Sequence, residues 1–315
     1  MNAQTGSITQ SKYVVARLAK ADFRFSRNYP GLLASVGFVA VLSLAQSDAA
    51  LAATAPNLLS DSTYAIVSST YTNSLNAGTE TKIIGLGSLS PTVCYTTGPS
   101  TPPISILGAI TTPCPNINVG LDFNTALANL NAQALLPSCT NLGVGAVNLD
   151  AVNLGGGPGV FPPGCYKNGG AMGIVANGIV TLNGPGVYIF KPNGALTTGA
   201  NSLVALANGA CASDVFWAPT ATTLGANAAT SPTPTFVGNI LDPAGITLGH
   251  FTNLTGRALA FGVTVTTDSN TITVPTCAPF GGGGVGIPTL SEWAMVMLAA
   301  FLAIAGFAVM RRQTR

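Results

Sequence analysis

The C-terminal half of the chain, from residue 174 onward, alternates short apolar runs with turns rich in Gly, Asn and Pro. Runs within 178–190 and 263–274 have the length and the β-branched content of strands. The sequences Thr-Leu-Gly-Ala-Asn (223–227) and Thr-Leu-Gly-His-Phe (247–251) resemble each other and begin 24 residues apart. Such loose self-similarity predicts the coils of a β-solenoid, in which each coil buries its apolar side against its neighbours. The same strand lengths and turns fit a β-sandwich nearly as well.

One stretch, 122–136, repeats its apolar residues with the period of a helix instead of a strand. The residues on its apolar face are Phe123, Leu127, Leu130 and Ala134. Asp122 or Asn124 can cap the start of this helix, and Pro137 ends it. The sequence therefore predicts one helix that packs on the β domain and carries no catalytic group.

Residues 1–52 have the three-part layout of a signal peptide. A basic leader precedes the apolar run 31–45, and the small-x-small sequence Ala50-Leu51-Ala52 follows it. We therefore expect cleavage before Ala53 and export of the rest. The alternative is an N-terminal membrane anchor, but this run is shorter than the roughly 20 apolar residues that a membrane span needs.

The other end of the chain combines a spacer, an apolar segment and a basic cluster. Residues 281–286 are rich in Gly and predict a flexible linker. Residues 293–310 are uncharged and just long enough for a transmembrane helix. Trp293 suits the membrane interface, and the arginines that follow mark the cytoplasmic side. These arginines are Arg311, Arg312 and Arg315.

A short motif introduces that apolar segment, Ile287-Pro288-Thr289-Leu290-Ser291-Glu292-Trp293. Together with the segment and the arginines, it resembles the IPTL-CTERM sorting signal of Gram-negative bacteria over residues 287–315. The resemblance implies that an exosortase-type membrane enzyme recognises the tail. It also implies an exported protein, held at the cell surface or outer envelope through the C-terminal helix or released from it. A plain C-terminal anchor would place the protein at much the same surface.

Charged residues make up only 7% of the chain, against about one-quarter in an ordinary soluble domain. Of the 12 basic residues, most stand in the predicted leader and tail. The four cations of the exported part, 53–286, are Lys82, Lys167, Lys191 and Arg257. Seven acids oppose them, which gives a net charge of 4 − 7 = −3. Nucleic-acid binding needs a basic patch, so the composition excludes that class of partner.

Candidate catalytic groups are scarce in the exported part. Its acids lie singly along the chain, whereas hydrolysis by paired carboxylates needs two of them in one cleft. His250 is the only histidine, and nothing near it resembles a nucleophile elbow. The cysteines show no Cys-x-x-Cys spacing of the kind that binds zinc. The sequence therefore predicts neither an enzyme nor a metal or cofactor site.

All 6 cysteines lie in the exported part. An even number of cysteines in an oxidising compartment predicts disulfides, and six cysteines allow about 15 pairing schemes. We favour two local loop staples and one bridge between the last coils. The expected pairs are Cys94–Cys114, Cys139–Cys165 and Cys211–Cys277.

An ordered series of short matches to a known family runs through the middle of the chain. It includes GVYIF (186–190), FVGNIL (236–241), GRALA (256–260) and DSNTIT (268–273). The series resembles the bacterial and fungal ice-binding protein family over residues 60–277. The resemblance implies a mainly β fold, an irregular right-handed β-solenoid with one long α-helix packed alongside, and so decides against the sandwich. We expect this domain to span 53–280.

The resemblance also implies a function, which is ice binding through a flat face of Thr and Asn side chains. Some family members carry Thr-Ala/Gly-x-Thr/Asn repeats, and TGAN (198–201) fits that form. The candidate face residues are Thr198, Asn201, Thr222, Thr223, Asn227, Thr247, Thr252, Thr264 and Thr266. The expected partners are ice or ordered water, the exosortase-type enzyme and the membrane. The alternative is a non-enzymatic cell-surface adhesin or matrix protein on the same fold, without ice affinity.

Overall fold

The computed structural model describes residues 53–74, 80–88, 90–98, 104–114, 116–228 and 236–276. The predictions for the signal peptide, the linker, the sorting motif and the transmembrane helix lie outside these residues, as does Cys277. Within the described ranges, no helix is long and apolar enough to cross a membrane.

In the described part of the chain, strands predominate and α1 (Asn116–Leu135) is the long helix. The strands are β1 (Ile66–Asn73), β2 (Thr81–Ile84), β3 (Pro91–Cys94), β4 (Ile104–Leu107), β5 (Ala109–Thr111), β6 (Thr140–Asn141), β7 (Val147–Asn148), β8 (Val160–Phe161), β9 (Gly164–Asn168), β10 (Met172–Ile174), β11 (Ile179–Asn183), β12 (Tyr188–Pro192), β13 (Leu196–Thr198), β14 (Leu203–Ala207), β15 (Val215–Trp217), β16 (Thr222–Leu224), β17 (Phe236–Leu241), β18 (Ile246–Leu248), β19 (Leu254–Thr267) and β20 (Thr271–Thr273).

The strands pair in parallel and stack as successive coils. The helix-side ladder runs β6–β9–β12–β15–β17–β19–β1–β3–β5. The threonine-side ladder runs β7–β10–β13–β16–β18–β19–β1, because β19 and β1 are long enough to serve both ladders. Strands β8, β11 and β14 form a third side. This architecture is mainly β and solenoid-like, as predicted, and its parallel pairing differs from the antiparallel sheets of a sandwich.

The coils stack in a different order from their order along the chain. Strands β1, β3 and β5 come first in the sequence but stack beyond β19. Helix α1 then leads to β6, at the opposite end of the helix-side ladder. A helix of 20 residues is about 30 Å long, and the eight strand steps from β5 back to β6 span about 38 Å. The helix therefore covers most of the return along the stack, and the short segments at its two ends cover the rest.

Helix α1 begins earlier than the prediction of Asp122–Leu136, since it runs from Asn116 to Leu135. Asp122 lies in its second turn and does not cap it. There, Asp122 Oδ2 accepts hydrogen bonds from the hydroxyl of Ser60 at 2.5 Å and from its N–H at 3.1 Å. Val119 is buried one turn before Phe123 and extends the apolar face toward the N-terminus. The predicted start was therefore wrong: Asp122 was interpreted as the cap of the helix, whereas its side chain binds Ser60 in a distant part of the chain.

The predicted apolar face of α1 covers the outward side of the helix-side ladder. Phe123, Leu130 and Ala134 are buried there, and Leu127 is partly buried. The ladder side chains in the same cluster include Val67, Ile189, Phe216 and Leu259. The helix approaches β19 closely at Gly120, where a Cβ atom would lie 2.4 Å from the ring of Phe261.

Aromatic side chains fill the interior between the ladders. The rings of Tyr166 and Phe190 stack with centroids 5.3 Å apart, and those of Phe190 and Trp217 with centroids 4.1 Å apart. Phe236 continues the series, with its centroid 5.0 Å from that of Trp217. One inward residue per coil thus joins successive coils, and such ring pairs stabilise a core beyond the area they bury.

Disulfides link the helix segment to the ladder at both ends. The structure joins Cys94 to Cys114 and Cys139 to Cys165, the two local pairs predicted from the sequence. Cys211 is also disulfide-bonded. Its predicted partner Cys277 lies outside the described residues, so that pairing stays a prediction.

Candidate functional site

The outward side of the threonine-side ladder carries an uninterrupted row of threonines. Five of them occupy paired positions on adjacent strands, in the order Thr197, Thr223, Thr247, Thr266 and Thr72. Adjacent strands lie about 4.8 Å apart, so this threonine row is about 19 Å long. Four of its residues are exposed and Thr266 is half-buried. The hydroxyls of Thr72 and Thr266 are hydrogen-bonded to each other at 2.8 Å.

The positions two residues before the threonine row form a second outward row of small side chains. In strand order these residues are Ala195, Ala221, Gly245, Thr264 and Thr70. Thr264 and Thr70 are register partners, and Thr264 is exposed. Because small side chains stand beside the threonine row on every coil, the surface here is flat and uncharged.

A buried row between the two outward rows holds this face rigid. Met172, Leu196, Ile246 and Val265 point inward and are almost fully buried. Thr222 belongs to the same inward row, is 3% exposed, and donates its hydroxyl hydrogen to Asp242 Oδ2 at 2.5 Å. The pKa of the Asp242 carboxyl is raised overall, because burial is the largest effect on it. The hydrogen bonds from Thr222 and from the backbone of Ala244 and Gly245 act in the opposite direction.

The face ends at a corner where the chain turns tightly on every coil. Gly225 begins the corner of one coil, where a Cβ atom would lie 2.5 Å from the backbone of Gly199 on the next coil. Asn201 and Phe251 follow with positive φ angles of 57°, a conformation in which Asn is enriched. His250 also lies at this corner, and its Nδ1 is 3.0 Å from Asp268 Oδ1.

The structure separates the candidate face residues into two groups. Thr223, Thr247 and Thr266 lie together in the threonine row, and Thr264 lies in the row beside it. The other five candidates, Thr198, Asn201, Thr222, Asn227 and Thr252, lie outside both rows.

Two of the remaining candidates are buried, so their prediction as face residues was wrong. Thr222 points into the core, and Thr252 is 2% exposed with its hydroxyl donating to Gly225 O. Thr198 is half-buried, and its Oγ1 accepts a hydrogen bond from the N–H of Gly225 at 2.9 Å. These hydroxyls bind neighbouring coils instead of facing solvent.

The two asparagine candidates lie at the corner. Asn201 Oδ1 accepts a hydrogen bond from the N–H of Ala228 at 3.1 Å. Asn227 Nδ2 donates to Thr252 Oγ1 at 3.2 Å. Each side chain therefore joins its turn to another segment of the stack, and neither belongs to the threonine row.

Sequence reasoning missed two members of the row, Thr197 and Thr72. Thr197 could have been found, because it stands 26 residues before Thr223, close to the 24-residue separation of Thr223 and Thr247. Thr72 comes from β1, and only the pairing of β1 with β19 brings it beside Thr266.

Chemically reactive groups are absent from the described part of this face. No three His, Cys, Asp or Glu side chains in the described ranges are grouped to hold a metal ion. What the surface offers is a regular array of hydroxyl and methyl groups on a rigid backbone. The fold and this surface together define a solenoid-like β protein with a regular, uncharged, hydroxyl-bearing face.

Comparisons with known proteins agree with this class. The family model described as ice-binding-like matches residues 72–273, well over half of the chain. The chain therefore belongs to the ice-binding-like family, which is non-enzymatic, and the protein is not an enzyme. The IPTL-CTERM motif model matches residues 286–313.

A relative and two solved structures illustrate the similarity. An ice-binding protein of Flavobacterium frigoris (strain PS1) is 33% identical over 135 residues, 42% of this chain and 46% of that protein. The matched region thus spans less than half the length of that relative. An ice-binding protein from an Antarctic biological consortium has a TM-score of 0.56 at 24% identity, over 71% of this chain and 93% of its own. One from the ascomycete Antarctomyces psychrotrophicus has a TM-score of 0.55 at 24% identity, over 71% of this chain and 100% of its own.

Proposed function

We propose that this protein binds ice through the threonine row, on the face of a right-handed β-solenoid. The observation that carries the proposal is the register of Thr197, Thr223, Thr247, Thr266 and Thr72 on five adjacent strands. The proposed contact set keeps Thr223, Thr247, Thr266 and Thr264 from the sequence and adds Thr197 and Thr72. It omits the corner and inward residues Thr198, Asn201, Thr222, Asn227 and Thr252.

The threonine row suits an ordered layer of water for three physical reasons. Each Thr offers a hydroxyl that both donates and accepts hydrogen bonds, next to a methyl group. Strand spacing repeats these groups about every 4.8 Å, which gives water a periodic template. Water that bridges two surfaces can be enthalpically almost as favourable as a direct hydrogen bond, and a rigid face loses little entropy on binding.

We further propose that the protein works outside the cell, at its surface. The predicted signal peptide 1–52 would direct export of the domain 53–280, and the disulfides fit an oxidising compartment. The match to the IPTL-CTERM motif at 286–313 supports recognition of the tail by an exosortase-type enzyme. In this proposal, 281–286 is a linker and 293–310 is a transmembrane helix that holds the protein before or after processing.

Growth of single ice crystals in the purified protein tests ice binding directly. We expect faceted crystals and a gap between melting and freezing temperatures, both lost after reduction and heat denaturation. A buffer with the same concentration of an unrelated neutral protein gives the baseline. Crystals that grow as they do in that baseline, at high concentration of folded protein, would refute ice binding and favour an adhesive or matrix role.

A further inference from the structure

A concave surface lies on the helix side of the molecule and shares no residue with the threonine row. It is a cavity of about 420 Å³ between the last turn of α1 and the ends of β9 and β12. Asn131 and Leu135 line it from the helix, and the loop around Gly143 closes another side. Its volume falls within the range of about 300–1,000 Å³ that is typical of small-molecule sites.

Two lysines stand side by side in this cavity. Lys167 and Lys191 are register partners on β9 and β12, and both line the cavity. Among the described residues, the pair of oppositely charged groups within 4.0 Å of each other is His250 and Asp268. Neither lysine is therefore that close to a carboxylate in the described ranges. Lys191 is half-buried and donates to Pro192 O at 2.9 Å. Like charges opposite each other on adjacent strands are destabilising, and a bound anion would relieve that repulsion.

The concentration of charge is notable because the exported part has only four cations, Lys82, Lys167, Lys191 and Arg257. Arg257 is buried and bonded to Ser62 O and Asn239 Oδ1. Lys82 is exposed on β2. Half of the cations in this region therefore share one cavity.

Amide groups surround the two lysines. Asn131, Asn141 and Asn193 line the cavity and are exposed. Asn168 also lines it, is 2% exposed, and donates from Nδ2 to Gly145 O at 2.6 Å and Ala171 O at 2.9 Å. Asn168 Oδ1 is buried without a hydrogen-bond partner among the described residues. This atom lies inside the cavity wall, so the amides that are open to a ligand are those of Asn131, Asn141 and Asn193.

Apolar side chains complete the rim. Leu135 is 84% exposed and Val144 is 88% exposed, and both line the cavity. Exposed aliphatic groups beside amides and cations form a surface that fits a molecule with an anionic group, several hydroxyls and one apolar ring face.

We propose that this cavity binds a carboxylate-bearing sugar unit of an acidic polysaccharide. Lys167 and Lys191 bind the carboxylate, the asparagine amides bind ring hydroxyls, and Leu135 and Val144 contact the C–H face of the ring. The site is independent of the threonine row, so the protein binds the polysaccharide on one side and leaves the threonine row free.

Calorimetric titration of the full-length protein with trigalacturonate tests the proposal, with a neutral trisaccharide (maltotriose) and sodium acetate as parallel titrants. We expect trigalacturonate to bind at least about tenfold more tightly than either of the others, because only it has both the charge and the hydroxyls. Equal affinity for acetate would show a simple anion site and overturn the proposal. Equal affinity for maltotriose, or no heat of binding to trigalacturonate, would overturn it too.

Two charge-removing variants show whether binding occurs in this cavity. Lys167→Gln should weaken trigalacturonate binding about tenfold, whereas Lys82→Gln removes the same charge elsewhere and should leave it unchanged. Circular dichroism and the ice-crystal assay confirm that both variants stay folded. An equal loss in both variants, or none in Lys167→Gln, would contradict the assignment.

Discussion

The helix-side and threonine-side ladders are built from the same coils, yet their outward residues differ completely. On the helix side, the outward positions include Ile189, Phe216 and Leu259, which are buried under α1. On the threonine side, Thr223 and Thr247 occupy outward positions and face solvent. Both ladders have buried apolar residues at the alternate, inward positions. The inward rows therefore determine the stack, while each outward row determines what its side binds.

The outward residues of the two ladders therefore have different roles, one in stability and the other in surface binding. An outward residue on the helix side belongs to a hydrophobic core, so truncating it should lower the free energy of unfolding. An outward residue on the threonine side contributes little to packing, so its loss should affect only surface binding.

Removing a large outward side chain from the helix side should have the largest effect on stability. Phe216 is 2% exposed and packs in the cluster under α1. Phe216→Ala should lower the free energy of unfolding by about 3–5 kcal/mol, as large cavities do. Thr223→Ala, at an outward position on the other ladder, should change it by less than about 0.5 kcal/mol. Urea denaturation of both variants measures the contrast, and similar losses in the two would contradict it.

A buried carboxyl on the helix side should make stability depend on pH. Asp61 lies in the 3₁₀ turn Leu59–Thr63 and is fully buried. Burial, with a smaller contribution from the charge of Asp122, raises the pKa of Asp61 from 3.8 to about 8. The folded state therefore holds this proton more tightly than the unfolded state does. The stability that this group contributes is present below about pH 4 and is lost as pH rises toward 8.

The free energy of unfolding that Asp61 contributes decreases by at most about 1.4 kcal/mol per pH unit. Asp61→Asn should remove this slope between pH 5 and 7, whereas Glu80→Gln, at an exposed position, should retain it. Urea denaturation at several pH values gives the slope. If Asp61→Asn keeps the slope of the unsubstituted protein, the buried carboxyl is not its origin.

Crowding the corner of the threonine side should have a smaller effect on stability. A Cβ atom at Gly225 would lie 2.5 Å from the backbone of Gly199, whereas one at Gly145 would have nothing within 4 Å. Gly225→Ala should therefore lower the free energy of unfolding by about 1–3 kcal/mol, as overpacking does. Gly145→Ala should change it by less than about 0.5 kcal/mol. Thermal unfolding of the two variants measures this difference. Equal midpoints would contradict the prediction and show that the coils can move apart freely.

The repeat in the sequence predicted the stacking of coils well, because it reflects the local register. Thr223 and Thr247 were identified from two similar pentapeptides, and they are register partners. The apolar face of α1 followed from local periodicity in the same way, whereas the choice of a solenoid over a sandwich rested on the resemblance to the ice-binding family.

The composition of the face could be predicted only in part, because strand parity decides which side a residue faces. Thr222 and Thr223 are neighbours, yet one is buried and the other exposed, and a shift of one residue exchanges the two sides of a strand. Thr72 depended on long-range pairing of β1 with β19, which no local pattern encodes. The start of α1 was predicted wrongly for a similar reason, because Asp122 binds Ser60, which is distant in sequence.

The gap between melting and freezing temperatures in two matched tyrosine variants tests the central claim most directly. Thr223 is the second of the five residues in the threonine row, while Thr181 on β11 is an outward position of the third side, paired with Ala205. Thr223→Tyr should reduce the gap at least about fivefold, because one bulky group within a flat contact disrupts its complementarity. Thr181→Tyr should leave the gap intact, and both variants should unfold at nearly the same urea concentration as the parent. An equal reduction in both, or an unchanged gap in Thr223→Tyr, would contradict ice binding by the threonine row.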